Sequence, residues 1–321
     1  MSTRRGEFEL IGELFAPLAT DPAALGLRDD AAVLPATTDE LVVAKDALVQ
    51  GVHFLATDPP ASVAQKALRV NLSDLAAMGA RPVGYLLALV RPPGIDDAWL
   101  EGFAAGLAAD QARFGLTLLG GDTVKTPGPL VVSLTILGRV APGTALRRAG
   151  ARPGDDVWVS GTLGDAALGL HVLQGGWAPA DEEAMAYLVE RYRRPEPRLA
   201  LGQALHGLAS ACQDVSDGLV QDLGHIAWNS GVAIRVEAPA LPSSPAAADA
   251  PDALIQALSG GDDYELVFTA PKDARFRLQA LSSEVPLTRI GRVEPGEGVT
   301  VFDADGQPMT LTKRGWSHGW T

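Results

Sequence analysis

Between Pro59 and Ala80 the chain keeps a helical period of apolar residues and interrupts it with an amide and a carboxylate. Ser62, after Pro59 and Pro60, is placed to cap the start of a helix, and Gly79 to end it in the left-handed conformation that costs glycine nothing. At about 100° per residue Ala64, Leu68, Leu72 and Leu75 share one stripe. Lys66, Arg69 and Ser73 fall opposite, the pattern of a helix packed on one side. Asn71 lands inside the apolar stripe and Asp74 at its edge, beside Ala67 and Met78, with no basic residue following at helical spacing. A carboxylate in that position needs a partner. Two readings stand: Asn71 and Asp74 hydrogen-bond a neighbouring loop, as most buried polar groups do, or Asp74 faces a metal ion.

The elements around this helix alternate in type. A one-sided helix is expected over Glu7 to Leu18, then a loop with Asp29-Asp30-Ala31 and a short apolar run, Ala31 to Leu34, that reads as a strand. A buried strand at Leu41 to Ala44 leads at once into Lys45-Asp46 and then His53-Phe54. After the Ser62 helix come a strand at Val83 to Val90, a helix from Asp96 to Phe114 closed by Gly115, and a strand at Leu116 to Leu119. That strand runs into Gly120-Gly121-Asp122-Thr123, and a strand at Val131 to Val140 follows. Gly143 to Gly154, rich in glycine, arginine and proline, reads as the domain boundary, giving domains of residues 1–146 and 147–321. The second half reads as a strand at Val157 to Ser160, a helix through Leu173 and another after Pro197. The motif Asp214-Val-Ser-Asp217-Gly-Leu219 then opens a helix that ends near Gly231. Strands follow at Val232–Val236, Tyr264–Thr269, Leu287–Val293 and Val299–Phe302.

Size and composition bound the function. The 321 residues, 47% hydrophobic and 20% charged, suffice for two domains with real cores. No apolar run approaches the roughly 20 residues of a membrane span, and the N-terminus runs into charges, so no membrane association and a cytoplasmic location are expected. A single cysteine, Cys212, excludes an intramolecular disulfide and a cysteine-built zinc site, and reads as a small core residue. With 39 acidic against 26 basic residues the net charge is −13, which argues against a nucleic-acid surface.

The chemistry lies in aspartates at element ends, each beside glycine or a small residue: Asp30, Asp46, Asp74, Asp122, Asp214 and Asp217. Any one of them alone is more often a cap or turn residue bonding its own backbone. Together they are hard oxygen donors without histidine or thiol neighbours, which suits magnesium, and magnesium sites complete themselves with substrate phosphates. No Walker-type loop, dinucleotide fingerprint or kinase catalytic loop occurs. Phosphates would then be held through metal, through glycine N–H groups such as those of Gly120 and Gly121, and by an arginine such as Arg148, which equally reads as a surface charge in a linker. His53 is a base, a ligand contact or a structural residue. Trp316 is a core or lid aromatic, or stacks on a flat ring.

These motifs coincide, in order and nearly end to end, with one family. Gly6-Glu-Phe-x-Leu-Ile11, Asp29-Asp30-Ala31, Asp46 with His53-Phe54, Asn71-Leu-Ser-Asp-Leu-Ala-Ala-Met-Gly-Ala80, Gly120-Gly-Asp-Thr123, Asp214-x-Ser-Asp-Gly-Leu219 and Gly260-Gly-x-Asp-Tyr-Glu-Leu266 together resemble the thiamine-monophosphate kinases. The resemblance implies a two-domain fold like that of aminoimidazole-ribonucleotide synthetase, α/β of the α+β type. Its N-terminal domain pairs with its copy in a homodimer, and its C-terminal domain closes an ATP cleft. It implies a magnesium-dependent transfer of phosphate from ATP to thiamine monophosphate, giving thiamine diphosphate. Carried over residue by residue, it makes Asp30, Asp46, Asp74, Asp122, Asp214 and Asp217 magnesium ligands. Gly121, Asp122, Arg148 and Ser216 become ATP contacts, and His53, Asp262 and Trp316 meet the thiamine phosphate. Two departures stand out. Ala44-Lys45 occupies the place of a hydroxyl pair, so Lys45 brings an ammonium to a metal-ligand position, and Asp262 stands one methylene short of the family's glutamate.

The mechanism this implies is direct in-line transfer. The acceptor phosphate, with a second pKa of about 6, is already an anion near neutral pH and needs no general base. Rival readings are another ATP-using member of the same superfamily, a metal-dependent phosphohydrolase using the same acids, and a protein that binds thiamine phosphates without catalysis.

Overall fold

The structure, a computed structural model, describes residues 7–29 and 31–316. The chain forms two compact units, one from the chain up to Leu75 together with Arg81–Gly143, the other from Ala76–Ala80 together with the chain from Thr144 onward.

In the first unit, the single helix expected over Glu7 to Leu18 is broken into α1 (Glu7–Leu10), a π-helical turn (Ile11–Phe15) and a 3₁₀ turn (Ala16–Leu18). Pro17 explains the break, because it lacks an N–H and its ring crowds the carbonyl four residues earlier. Ala31 to Leu34 is no strand; the N–H of Val33 bonds the Ala23 carbonyl instead, at 2.8 Å. Strands β1 (Glu40–Val49), β2 (Arg81–Arg91), β3 (Thr117–Lys125) and β4 (Val131–Val140) form a sheet in the order β1-β4-β2-β3. All its pairings are antiparallel except β2 with β3.

One face of this sheet, with Leu48, Leu87, Leu89, Val132, Leu134 and Ile136, is buried. Helix α2 (Pro60–Ala77) lies over it, with Leu75 seated against Gly138, where a Cβ would come within 2.9 Å of the leucine. Pro60 opens α2, its missing N–H being one that a first turn does not use. Ser62 does not cap it as expected: its hydroxyl donates to the Pro59 carbonyl at 2.8 Å. Nor is α2 one-sided. Lys66, Arg69 and Ser73 are all buried, because α3 (Asp97–Phe114) packs on the side expected to face water. Gly106 of α3 meets the Ala61 backbone, which leaves no room for a Cβ. Arg69 pays for its burial through Asp110 of α3, with bonds of 2.7 and 2.9 Å from Nε and Nη2. Asp96 caps α3 by accepting the N–H of Trp99, and Gly115 ends it at φ 67°. The other face of the sheet leaves Leu41, Val43 and Leu86 between 41% and 56% exposed.

In the second unit, β5 (Asp156–Ser160), β6 (Ala211–Asp214), β7 (Ala233–Glu237), β8 (Leu266–Ala270), β9 (Leu287–Glu294) and β10 (Gly298–Phe302) form a mixed sheet in the order β10-β7-β9-β5-β8-β6. It is parallel only between β10 and β7. Both faces are covered, so β5 and β8 are buried along their whole length. On one face Val157, Val159 and Val267 pack with Leu219, Leu223 and Ile226 of α7 (Leu219–Ser230). On the other, Trp158, Leu266 and Phe268 pack with Cys212 and with Leu201 and Leu205, the latter pair on and just after α6 (Leu199–Ala204). The remaining helices are α4 (Asp165–Leu173), α5 (Glu182–Arg193), α8 (Ala253–Ser259) and α9 (Arg275–Leu281).

Candidate functional site

In the first unit Asp46 lies within β1, not at its end, and is half-buried. Asn71 of α2 fixes its backbone: the Asn71 Oδ1 accepts the Asp46 N–H at 3.1 Å while its Nδ2 donates to the Ala67 carbonyl at 2.9 Å. Asn71 thus takes the loop-bonding reading, with a strand in place of the loop. Asp74, one helical turn later, is half-buried. Lys45 points to the opposite face of β1 from Asp46, and its Nζ donates to Ser133 Oγ at 2.8 Å. His53 folds back on β1, where its Nδ1 accepts the Val49 N–H at 3.0 Å, the tautomer that keeps its proton on Nε2.

Gly120, Gly121 and Asp122, expected just past a strand, lie inside β3, with Asp122 in register with Ala88 of β2. Gly121 is required there by strand packing, since a Cβ would run into the Leu87 carbonyl. Beside these residues is a cavity of about 460 Å³, lined by Phe15, Leu27, Leu34, Leu118 and Leu137 together with Gly121 and Asp122. Asp29 lines it too, while Asp30 lies outside the described residues.

In the second unit several sequence-distant candidates come together. Asp214 closes β6 and is buried, and the chain then turns through Ser216 and Asp217 into α7. Three successive N–H groups, of Ser216, Asp217 and Gly218, all donate to Asp222 Oδ2 at 3.1 Å, and Gln213 Nε2 donates to its Oδ1 at 2.8 Å. The carbonyls of the same turn are held from the other side: Asp262 N–H donates to Ser216 O and Tyr264 N–H to Val215 O, both at 2.8 Å. The C-terminal segment closes the group, with the Trp316 N–H on the Asp217 carbonyl at 2.9 Å. Gln221 Nε2 bonds both Asp217 Oδ2, at 2.9 Å, and the Trp316 carbonyl, at 2.7 Å. Ser216, Asp217, Asp262 and Trp316 therefore form one hydrogen-bonded constellation. Arg148 of the same unit is exposed, and its carbonyl accepts Ser230 Oγ at 3.3 Å.

The loop bearing Asp262 is strained and anchored. Asp262 and Tyr264 adopt φ of 63° and 52°, a left-handed backbone that costs non-glycine residues about 1–2 kcal/mol each. The alternate residues point inward and hold it there. Asp263 accepts the Gly164 N–H at 2.8 Å ahead of α4. Glu265, fully buried, takes Arg191 at 3.0 Å, Arg198 at 2.5 and 2.7 Å and Ser160 Oγ at 2.6 Å. Burial pushes Asp263 up to about 8, against the pull of Arg191 and the Gly164 N–H. Burial draws Arg191 down, but Glu265 and Asp263 raise it further. Burial, and then the neighbouring Asp214 and Asp217 carboxylates, push Asp222 well above the usual carboxylate range.

Among the described residues, no group of three or more histidines, cysteines, aspartates or glutamates is gathered closely enough to hold a metal by itself. The donors still fit magnesium, which takes one or two carboxylates and completes its shell with water and phosphate oxygens. Asp214 and Asp217 are such a pair, and the upward push they exert on Asp222 marks a crowding of negative charge that a cation relieves.

Asp222 and Gln221 did not stand out as functional in the sequence, and Asp263 and Glu265 stood in a family motif without a role assigned to them. Asp222 carried the signal that Asn71 carried: it falls in the apolar stripe of Leu219, Leu223 and Ile226. Gln221 carried none, because its partners lie on Asp217 and on a segment far along the chain.

The sequence profile of "AIR synthase related protein, N-terminal domain" matches residues 28–140, and that of the "C-terminal domain" matches residues 152–304. A thiamine-monophosphate kinase of Caulobacter vibrioides is 48% identical, over 98% of this chain and 91% of its own length. The chain belongs to the thiamine-monophosphate kinase family. The crystal structure of the thiamine-monophosphate kinase from Stenotrophomonas maltophilia K279a superposes with a TM-score of 0.83 at 46% identity, covering 92% of this chain and 94% of that one. The solved complex of AaThiL with AMPPCP and TMP has a TM-score of 0.79 at 32% identity, covering 99% of this chain and all of the other.

Proposed function

We propose that this protein is an ATP-dependent kinase that phosphorylates thiamine monophosphate to thiamine diphosphate by direct in-line transfer. The observation that carries the reading is the constellation of Ser216, Asp217, Asp262 and Trp316, residues brought together from three distant parts of the chain, in a member of this family.

In this reading Asp46, Asp74 and Asp122 of the first unit and Asp214 and Asp217 of the second hold magnesium, as Asp30 does. Bound there, magnesium neutralises the two anionic reactants and draws charge from the transferring group. The protein's own part is positioning. Gly121, Asp122 and Ser216 bind ATP, and the apolar cavity beside Gly121 suits a flat base. Arg148, exposed and carried on a segment whose backbone is fixed by Ser230, meets the phosphates. Asp262, His53 and Trp316 hold the acceptor: Asp262 meets its cationic ring system, His53 donates from Nε2 and Trp316 offers a ring to stack on. Lys45 is no metal ligand, because its ammonium is engaged by Ser133 on the other side of β1. No residue is asked to remove a proton, since the acceptor is already ionised. The uncovered part of the sheet face, with Leu41 and Val43, is where a second copy packs in a homodimer.

Incubation with ATP and magnesium, with and without thiamine monophosphate, tests the reading. Thiamine diphosphate and ADP should appear together, and ADP released at the same rate without thiamine monophosphate would instead make the protein a hydrolase.

A further inference from the structure

We infer that Gln221 is a positioning residue that couples the Asp217 carboxylate to the substrate-facing segment at Trp316. The inference rests on the phosphotransfer reading above. An amide nitrogen carries two N–H groups, and at Gln221 both are used, one on Asp217 Oδ2 at 2.9 Å and one on the Trp316 carbonyl at 2.7 Å. Two acceptors on one nitrogen settle which end of the amide is which, so Oε1 turns toward residue 315. Only glycine fits at that position: a Cβ on Gly315 would stand 2.7 Å from both Gln221 Cβ and Oε1 and 2.9 Å from the Asp217 carbonyl. The Trp316 N–H on that same carbonyl, at 2.9 Å, closes the ring.

The backbone of Asp217 is already fixed by Asp222, so Gln221 acts on the side chain, four residues on and in the first turn of α7. Holding one carboxylate oxygen sets the rotamer of a candidate metal ligand, and removing such a supporting donor typically lowers metal affinity 10- to 100-fold. The same amide holds the segment that carries Trp316. Substrate seated on Trp316 and cation seated on Asp217 therefore share a single side chain, and each ligand should favour the other.

Three variants separate this coupling from a plain structural pin. Gln221 is half-buried, so Gln221→Ala should fold, with a melting temperature within a few degrees of wild type. It should raise about tenfold both the KM for thiamine monophosphate and the magnesium concentration that half-stabilises the protein against heat in the presence of ADP, a readout that needs no turnover. Gln221→Glu, which sets a carboxylate against Asp217 and the Trp316 carbonyl, should be no better. Gly315→Ala, whose methyl would press on Gln221 and on the Asp217 carbonyl, disturbs the same junction and should raise both quantities as well. If Gln221→Ala moves the KM alone, or neither quantity, the coupling is overturned. If wild type forms no thiamine diphosphate, the functional reading fails on its own, and the magnesium titration still shows whether Gln221 supports Asp217.

Discussion

Asp263 makes an unusual demand on pH. Burial holds its folded-state pKa near 8, while the unfolded chain titrates it near the ordinary aspartate value of about 3.9. Between those values the folded protein keeps a proton that the unfolded chain releases, so the folded state binds more protons and stability falls as pH rises. The contribution is complete below about pH 4, declines through neutrality and is gone once pH passes the folded value. For one group the slope approaches about 1.4 kcal/mol per pH unit. Asp263→Asn removes the titration while retaining an oxygen for the Gly164 N–H, at 2.8 Å in wild type. The stability of the variant relative to wild type should widen in its favour by about 2 to 3 kcal/mol between pH 5.5 and pH 7.5. Urea unfolding at pH 5.5, 6.5 and 7.5, with midpoints and slopes fitted separately, measures the difference. Parallel stability profiles for the two proteins would refute the assignment of a neutral Asp263.

Other outcomes follow from single contacts. Asp74→Asn should abolish turnover with the unfolding transition preserved; near-normal turnover at saturating magnesium would remove Asp74 from the site. Glu265→Gln leaves Arg191 and Arg198 facing a neutral amide in the interior, and should cost about 3–5 kcal/mol by denaturant titration, since a broken buried pair exposes the cost of the charge left behind. Leu72→Ala, at a position with no exposed surface, should cost about 3 kcal/mol by the same method without altering the KM for ATP.

Local chemistry was legible. Val131 to Val140 reads as a strand and is one, and α3 is bounded as expected by the Asp96 side chain at its start and the left-handed backbone of Gly115 at its end. Most of what failed depended on neighbours distant in sequence. Lys66, Arg69 and Ser73 read as a wet face because nothing near them announces that Gly106 and Asp110 bring a second helix onto it. Helix α5 went unread although Asp181 caps it through the N–H groups of Glu183 and Ala184, a signal that was present and unused. The strand position of Asp122 was misplaced because glycines suggest a loop, whereas Gly121 is there so that β3 can approach β2.

Two polar residues inside apolar stripes explain each other. Asn71 on α2 and Asp222 on α7 both sit where a core side chain belongs, and both accept backbone N–H groups from the segment that carries a candidate metal ligand: Asp46 for Asn71, Ser216 to Gly218 for Asp222. A metal-binding aspartate must be held within a fraction of an ångström, and its own side chain is not available to hold it. The backbone has to be fixed from behind, by a rigid element, with an acceptor that burial makes costly to leave unpaired. A helix with one polar residue in its apolar stripe meets all three conditions. That residue marks the ligand on the adjoining segment; only when, like Asp74, it sits at the stripe's edge and half-exposed is it suited to be the ligand itself.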